Sequence, residues 1–161
     1  MRHSPARGFT LAEVMVVMVL ASVVTLGLVG FYLNSQATWI DGSSQALAQR
    51  DATLIVESLT DKAREAASYE ILPTSPPSTN QIVVFFDNGL NELSRFTWEA
   101  DSLVHLWQGG DDKGPVASSI VERFELAPDT SPVLHLQMLQ VRATNGARVQ
   151  MHSSMAMYNA P

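Results

Sequence analysis

Cysteine is absent from the 161 residues. That excludes disulfides, thiol nucleophiles and thiolate metal sites, and it leaves the compartment open, because cysteine-free chains suit reducing and oxidising surroundings alike. Cations are scarce too: 10 Lys and Arg stand against 16 Asp and Glu, a net charge of −6. Such a chain repels nucleic-acid phosphates, so nucleic acid is not an expected direct partner. Between Arg7 and Arg50 there is no Lys or Arg at all. No histidine pair has the spacing of a helical metal site, and there is no G-x-S-x-G elbow or phosphate-binding glycine loop. The pattern gives no support to catalysis, to a cofactor or to a metal, and the chain does not read as an enzyme.

What is present in quantity lies near the start. Residues 14–33, VMVVMVLASVVTLGLVGFYL, are 20 residues without a charge. As a helix they span about 30 Å, roughly the hydrocarbon thickness of a bilayer. A buried helix of a soluble protein rarely stays apolar on every face for this long. Arg2, His3 and Arg7 precede the run, so the positive-inside bias puts the N-terminus in the cytoplasm and the bulk of the chain outside. The lipid bilayer is then a partner, and the chain is expected to cross it once with its head outside. Trp39 falls just past the run, where an interfacial aromatic belt is expected.

Two processing schemes compete. An ordinary signal peptide has a 7–15-residue apolar core and small residues at the cut. Ser35-Gln36-Ala37 offers such a site, but the apolar stretch is long for that class. The other scheme cuts between Gly8 and Phe9 and keeps the apolar segment as an anchor. Glu13 favours the second. An acid inside a membrane helix costs on the order of 2.5–3.5 kcal/mol, less near the interface, so such residues usually have a partner and a role. Cleavage after Gly8 creates a cationic amine on Phe9, with Glu13 one helical turn away. Glu13 also complements the helix dipole, which that amine opposes. A carboxylate from a neighbouring subunit that neutralised the amine would fix the stagger between helices.

The run Gly8-Phe9-Thr10-Leu11-Ala12-Glu13-Val14-Met15-Val16 resembles the prepilin cleavage and methylation motif of type IV pilins and type II secretion pseudopilins. The resemblance implies that a prepilin peptidase cuts after Gly8 and methylates Phe9, leaving 1–8 as a leader peptide. Losing Arg2 and Arg7 with it changes 10 cations against 16 anions to 8 against 16, or −8. It implies that Glu13 pairs with the Phe9 amine of an adjacent subunit during assembly. It also implies as partners the other major and minor subunits and an inner-membrane assembly platform. Ala12 replaces the larger aliphatic residue often seen before the Glu, and Gly27 and Gly30 stand where many major pilins have a proline. A C-terminal disulfide loop cannot form without cysteine. These departures favour a minor subunit. Residues 48–66, from Ala48-Gln49-Arg50-Asp51 to Lys62-Ala63-Arg64-Glu65-Ala66, are similar to the soluble half-helix of W-type minor pilins and J-type pseudopilins.

The expected fold is α+β: a long N-terminal helix, membrane-spanning in its first half (9–34), packed on an antiparallel β-sheet within a periplasmic head (35–161). Leu47, Leu54, Ile55, Leu59, Ala63 and Ala66 make an apolar stripe in a helix over 35–70, with Arg50, Glu57, Asp61, Arg64 and Glu65 opposite. Asp41-Gly42-Ser43-Ser44 either bends that helix or marks a helix start. A proline-rich linker over 72–80 ends it. A meander then runs over 81–158, with strands predicted at 82–86, 93–98, 103–107, 120–126, 133–143 and 147–158. Asn145-Gly146 is the clearest hairpin signal. His105, His135 and His152 read as surface or rim histidines, and Trp98 and Trp107 as core. Gly109-Gly110-Asp111-Asp112-Lys113-Gly114 is a flexible loop whose carboxylates suit calcium, opposed by Lys113. The rival function is a signal-anchored periplasmic binding or interaction protein.

Overall fold

The structure, a computed structural model, describes residues 9–73, 79–127 and 133–158. One helix, α1 (Leu11–Glu65), precedes eight strands. These are β1 (Ser68–Leu72), β2 (Asn80–Phe86), β3 (Glu92–Glu99), β4 (His105–Gln108), β5 (Asp111–Pro115), β6 (Val121–Ala127), β7 (Val133–Arg142) and β8 (Arg148–Ala156). The chain divides into two compact units, one ending at Asp41 and one beginning at Gly42.

In the first unit every described residue is exposed. Its helix is rich in valine, which loses rotamer freedom in helices. Helix is nonetheless the form that satisfies every backbone group within one segment, the condition a lipid interior imposes. Mean hydropathy reaches 2.6 over 18 residues, enough in length and apolarity to cross a membrane. The hydroxyls of Ser22 and Thr25 donate to the carbonyls of Val19 and Ala21, each at 2.7 Å, so these polar atoms need no neighbouring helix.

In the second unit the helix buries Ser44, Ala48, Asp51, Ala52, Ile55, Leu59 and Ala63. The steps of three and four keep one face inward. The predicted stripe holds at Ile55, Leu59 and Ala63, and Ala66 is buried just past the helix end. It fails at Leu47 and Leu54, which are 54% and 37% exposed. The inward face is set by the small residues Ala48 and Ala52, and each leucine lies about 100° or more to one side of it. Arg50, Glu57, Asp61, Arg64 and Glu65 are all exposed. No helix starts at 41–44, because α1 is helical through them.

α1 stops at Glu65 rather than near residue 70, and 68–72 is a strand instead. Tyr69 and Ile71 are good strand residues, and pairing from Ser68↔Phe86 to Leu72↔Ile82 outweighs any local helical continuation. The linker shortens to 73–79, of which 74–78 lie outside the described residues. The single predicted meander is two antiparallel sheets, ordered β1-β2-β3-β4-β5 and β6-β7-β8. The segment read as a flexible loop at Asp111 is β5, paired with β4. The strand expected over 103–107 begins only at His105.

Residues of α1 and both sheets share one core. Phe85 meets Phe96 edge to face at 6.0 Å, and Trp98 of the first sheet meets Phe124 of the second at 6.2 Å. Trp107 is only half-buried, its indole N–H donating to Thr97 Oγ1 at 3.2 Å, so it sits at the rim and not in the core. Fully buried Gln81 joins the sheets: its Oε1 accepts from Leu126 N at 2.8 Å and its Nε2 donates to Leu126 O at 3.2 Å.

Candidate functional site

The sequence singles out Gly8, Phe9 and Glu13. Gly8 lies outside the described residues. Phe9 is 86% exposed and precedes the helix. Helix starts leave backbone N–H groups without partners. Here Thr10 is the cap: Glu13 N–H donates to Thr10 Oγ1 at 3.3 Å, while Glu13 Oε2 accepts from Thr10 N at 2.8 Å and Thr10 Oγ1 at 3.0 Å. This reciprocal arrangement is a capping box. Glu13 therefore caps its own helix, a role the sequence reading did not assign. The signal was available, since Thr10-Leu11-Ala12-Glu13 in front of an apolar run has the required spacing.

Asp51 is the other residue that sequence reasoning passed over. It lies on the inward face of α1, 6% exposed. Its Oδ2 accepts from Ser119 N at 2.8 Å, Ser118 Oγ at 2.9 Å and Ser118 N at 3.1 Å. Burial pushes the Asp51 carboxyl up, but the bonds from Ser119 and Ser118 outweigh it and hold the group below the usual carboxylate range. A carboxylate three residues past buried Ala48 and four before buried Ile55 was the clue. Nearby, Thr144 Oγ1 of the β7–β8 turn donates to Ser44 Oγ at 2.9 Å, a second polar tie from the helix to a connecting segment.

The carboxylates considered for calcium already have protein partners. Asp112 Oδ1 accepts from Gly114 N at 2.7 Å, and its Oδ2 lies 3.0 Å from His105 Nδ1. Asp111 pairs with Lys113 at 3.4 Å. The Gly114 bond, aided by His105 against a desolvation penalty, holds the Asp112 carboxyl below its ordinary value. Gly109 and Gly110 turn the β4–β5 hairpin at φ of 65° and 85°. Among the described residues no group of three or more His, Cys, Asp and Glu could hold a metal. His135 Nδ1 meets Ser154 Oγ at 2.8 Å, and His152 Nδ1 meets the Gln137 carbonyl, both at the outer face of β7 and β8.

A family model described as the prokaryotic N-terminal methylation motif matches residues 3–29. The match covers the basic flank, the Gly8–Phe9 junction, the capping box and most of the apolar run. This motif is characteristic of type IV prepilin-like proteins, structural subunits that are processed by a prepilin peptidase and assemble with other pilins. The long apolar helix and the helix-on-sheet α+β architecture agree with it. No curated protein and no solved structure matches the chain.

Proposed function

We propose that this chain is a minor pilin or pseudopilin subunit, incorporated in or priming a type IV pilus or a type II secretion pseudopilus. The observation that carries the reading is the methylation motif over residues 3–29, ending inside a helix that exposes apolar side chains on all sides. In this reading the chain inserts with its N-terminus in the cytoplasm, 1–8 is removed, and the new Phe9 amine is methylated. The stretch 9–34 anchors the subunit and later packs among its neighbours, with the head in the periplasm.

The capping box suggests how Glu13 serves both its own helix and a neighbour. Both observed bonds to Thr10 use Oε2. A carboxylate has about four lone-pair sites, so the second oxygen can accept from the Phe9 ammonium of an adjacent subunit while the cap stays closed. An ammonium at the helix start, unfavourable against the dipole, is thereby neutralised where water is scarce.

Mass analysis of the N-terminus from native membranes tests the reading. A chain beginning at methylated Phe9 is expected; one beginning at Met1 or Thr38 overturns it. Glu13→Ala should be inserted and cleaved yet recovered poorly in assembled filaments. Normal filament yield in that variant would remove Glu13 from the mechanism.

A further inference from the structure

Two hairpin loops of the head are built alike. In the β2–β3 loop, Asp87 N donates to Asn91 O at 3.0 Å and Leu90 N to Asp87 O at 3.1 Å. In the β7–β8 loop, Ala143 N donates to Ala147 O at 2.8 Å and Gly146 N to Ala143 O at 2.9 Å. Each is a three-residue loop whose last member takes the left-handed conformation. The second loop puts Gly146 there, at φ 83°, and the first puts Leu90 there, at φ 60°. A leucine in that conformation strains the backbone where a glycine does not. Leu90 is also 78% exposed. Exposure alone says little, but exposure together with strain gives the head nothing, and strained residues cluster at sites that bind. The loop is firmly held as well. Asp87 Oδ1 accepts from Gly89 N at 2.7 Å and Asn91 N at 2.8 Å, and Asp87 Oδ2 accepts from Asn91 Nδ2 at 3.0 Å. Leu90 is a rigid apolar knob.

The same head carries a hole of fitting chemistry. A hollow of about 550 Å³ is lined by apolar Leu47, Ile120 and Ala143 and by polar Ser44, Thr144 and Arg142. Leu47, 54% exposed, is the apolar side chain that α1 leaves uncovered there. Gly146 borders the hollow too, so the second loop has no side chain where the first has its knob. The charges agree. Bonds from Asn91 and Gly89 hold the Asp87 carboxyl below its ordinary value, so an anion stands beside the knob. A cation, Arg142, stands beside the hole; it meets Glu122 and Asp101 through Nη1, and a guanidinium has five N–H donors.

Knob and hole lie at opposite ends of the head. Ala67 N donates to Phe86 O at 2.8 Å, which places the Leu90 loop by the C-terminal end of α1. The hollow lies at Ser44 and Leu47, and from Leu47 to Glu65 the helix rises about 27 Å. A copy shifted along that axis therefore meets the next one knob to hole, with both helices pointing the same way. Such a contact is heterologous: it needs no two-fold axis and leaves a free knob at one end and a free hole at the other. Both halves of the fit are on one chain, which makes a second copy the occupant.

We infer that Leu90 of one copy seats in the Leu47 hollow of the next, stacking heads end to end. The inference concerns the head alone and does not depend on the pilin reading.

The absence of cysteine makes the test direct, since introduced thiols are the only ones in the chain. Leu90 and Leu47 are exposed, so replacing them leaves the core intact. Full-length Leu90→Cys and Leu47→Cys chains, co-expressed in native membranes, should form a mixed disulfide dimer under mild oxidation. Neither should dimerise alone, and the two positions are too far apart within one copy to be bridged. Leu90→Cys co-expressed with Gln150→Cys, which is also exposed, should not link. A single chain bearing both Leu90→Cys and Leu47→Cys should give trimers and larger species. Equal linkage in the single variants or in the Gln150 pair indicates random collision and overturns the proposal. So does the lack of any linkage, a double variant that stops at dimers, or linkage only to a different protein. N-terminal mass read on the same samples reports separately on processing at Phe9.

Discussion

At the level of single residues, polar side chains on α1 carry more than their exposure suggests. Asp51 satisfies two backbone N–H groups and a hydroxyl of the segment leading into β6. Asp51→Asn keeps the shape but loses the charge and one acceptor geometry. It should destabilise the head by about 1–3 kcal/mol, the cost of leaving buried donors poorly paired. Thermal melting at neutral pH reads this as a lowered midpoint. The pH dependence follows from the direction of the shift. With the folded carboxyl below its unfolded value of about 3.9, the stabilisation is complete above that value and fades as pH falls through the folded one. The deficit of Asp51→Asn should therefore be largest near neutrality and shrink below about pH 4. A deficit that stayed constant down to pH 2 would place the effect in packing rather than charge. Asp51 was hard to read because residue type and face disagree: hydropathy alone assigns an aspartate outward, and only its spacing from Ala48 and Ile55 points inward. The Thr10–Glu13 cap, by contrast, is written in the spacing of the two residues ahead of the apolar run, and needs no tertiary context.

At the level of elements, strands were easier to place than sheets. Alternation located β2, β3, β6, β7 and β8, but nothing local says that β6 leaves the first sheet to found a second. That division rests on non-local contacts such as Gln81 with Leu126 across 45 positions. Gln81→Ala should orphan both polar groups of Leu126, at about 1–3 kcal/mol for each buried group left unpaired. Hydrogen exchange at the Leu126 amide should accelerate more than at Leu134 of β7, and equal acceleration would mean general loosening instead. The Asn145-Gly146 signal gave the hairpin but not its loop. Ala143 N–H bonds Ala147 O at 2.8 Å, Gly146 N–H bonds Ala143 O at 2.9 Å, and only Gly146 has positive φ, at 83°. That is a three-residue loop with glycine in the left-handed position. Gly146→Ala should lower stability by about 1 kcal/mol from backbone strain alone, measurable by denaturant titration, because nothing lies within 4 Å of an added Cβ.

At the level of the whole molecule, the two units draw on different solvents. Phe9 to Asp41 contributes no buried residue, whereas all core side chains fall at Ala48 or later. A chain beginning at Gly42 should keep the melting midpoint of the full-length head to within a few degrees. A loss of cooperative unfolding in that fragment would show that the anchor supports the head. Leu59, fully buried at the centre of α1's inward face, is the place to break the head instead. Leu59→Ala should lose about 2–5 kcal/mol in a denaturant titration, with N-terminal processing unaffected. The apolar half of α1 was legible as a helix, since one uncharged run of 20 residues needs no tertiary context. The head was legible only in pieces.

Midway along its length β7 carries a residue without a match in the neighbouring strands. Against β6 the partners jump from Met138↔Glu125 to Leu136↔Leu126, and against β8 from Leu139↔Met151 to Leu136↔Ser153. Gln137 is the surplus against β6, and against β8 Gln137 and Met138 together face the single residue His152. Leu134 and Leu136 before it, and Leu139 and Val141 after it, are all buried. Excising Gln137 would thus leave an ordinary alternating strand with every inward side chain still inward. The insertion is invisible to the interior, and its visible consequence is outside, where the Gln137 carbonyl meets His152 midway along β8. Shortening the chain by that single residue would remove this irregularity, leaving the one at Glu122 of β6, while taking away the carbonyl that meets the imidazole.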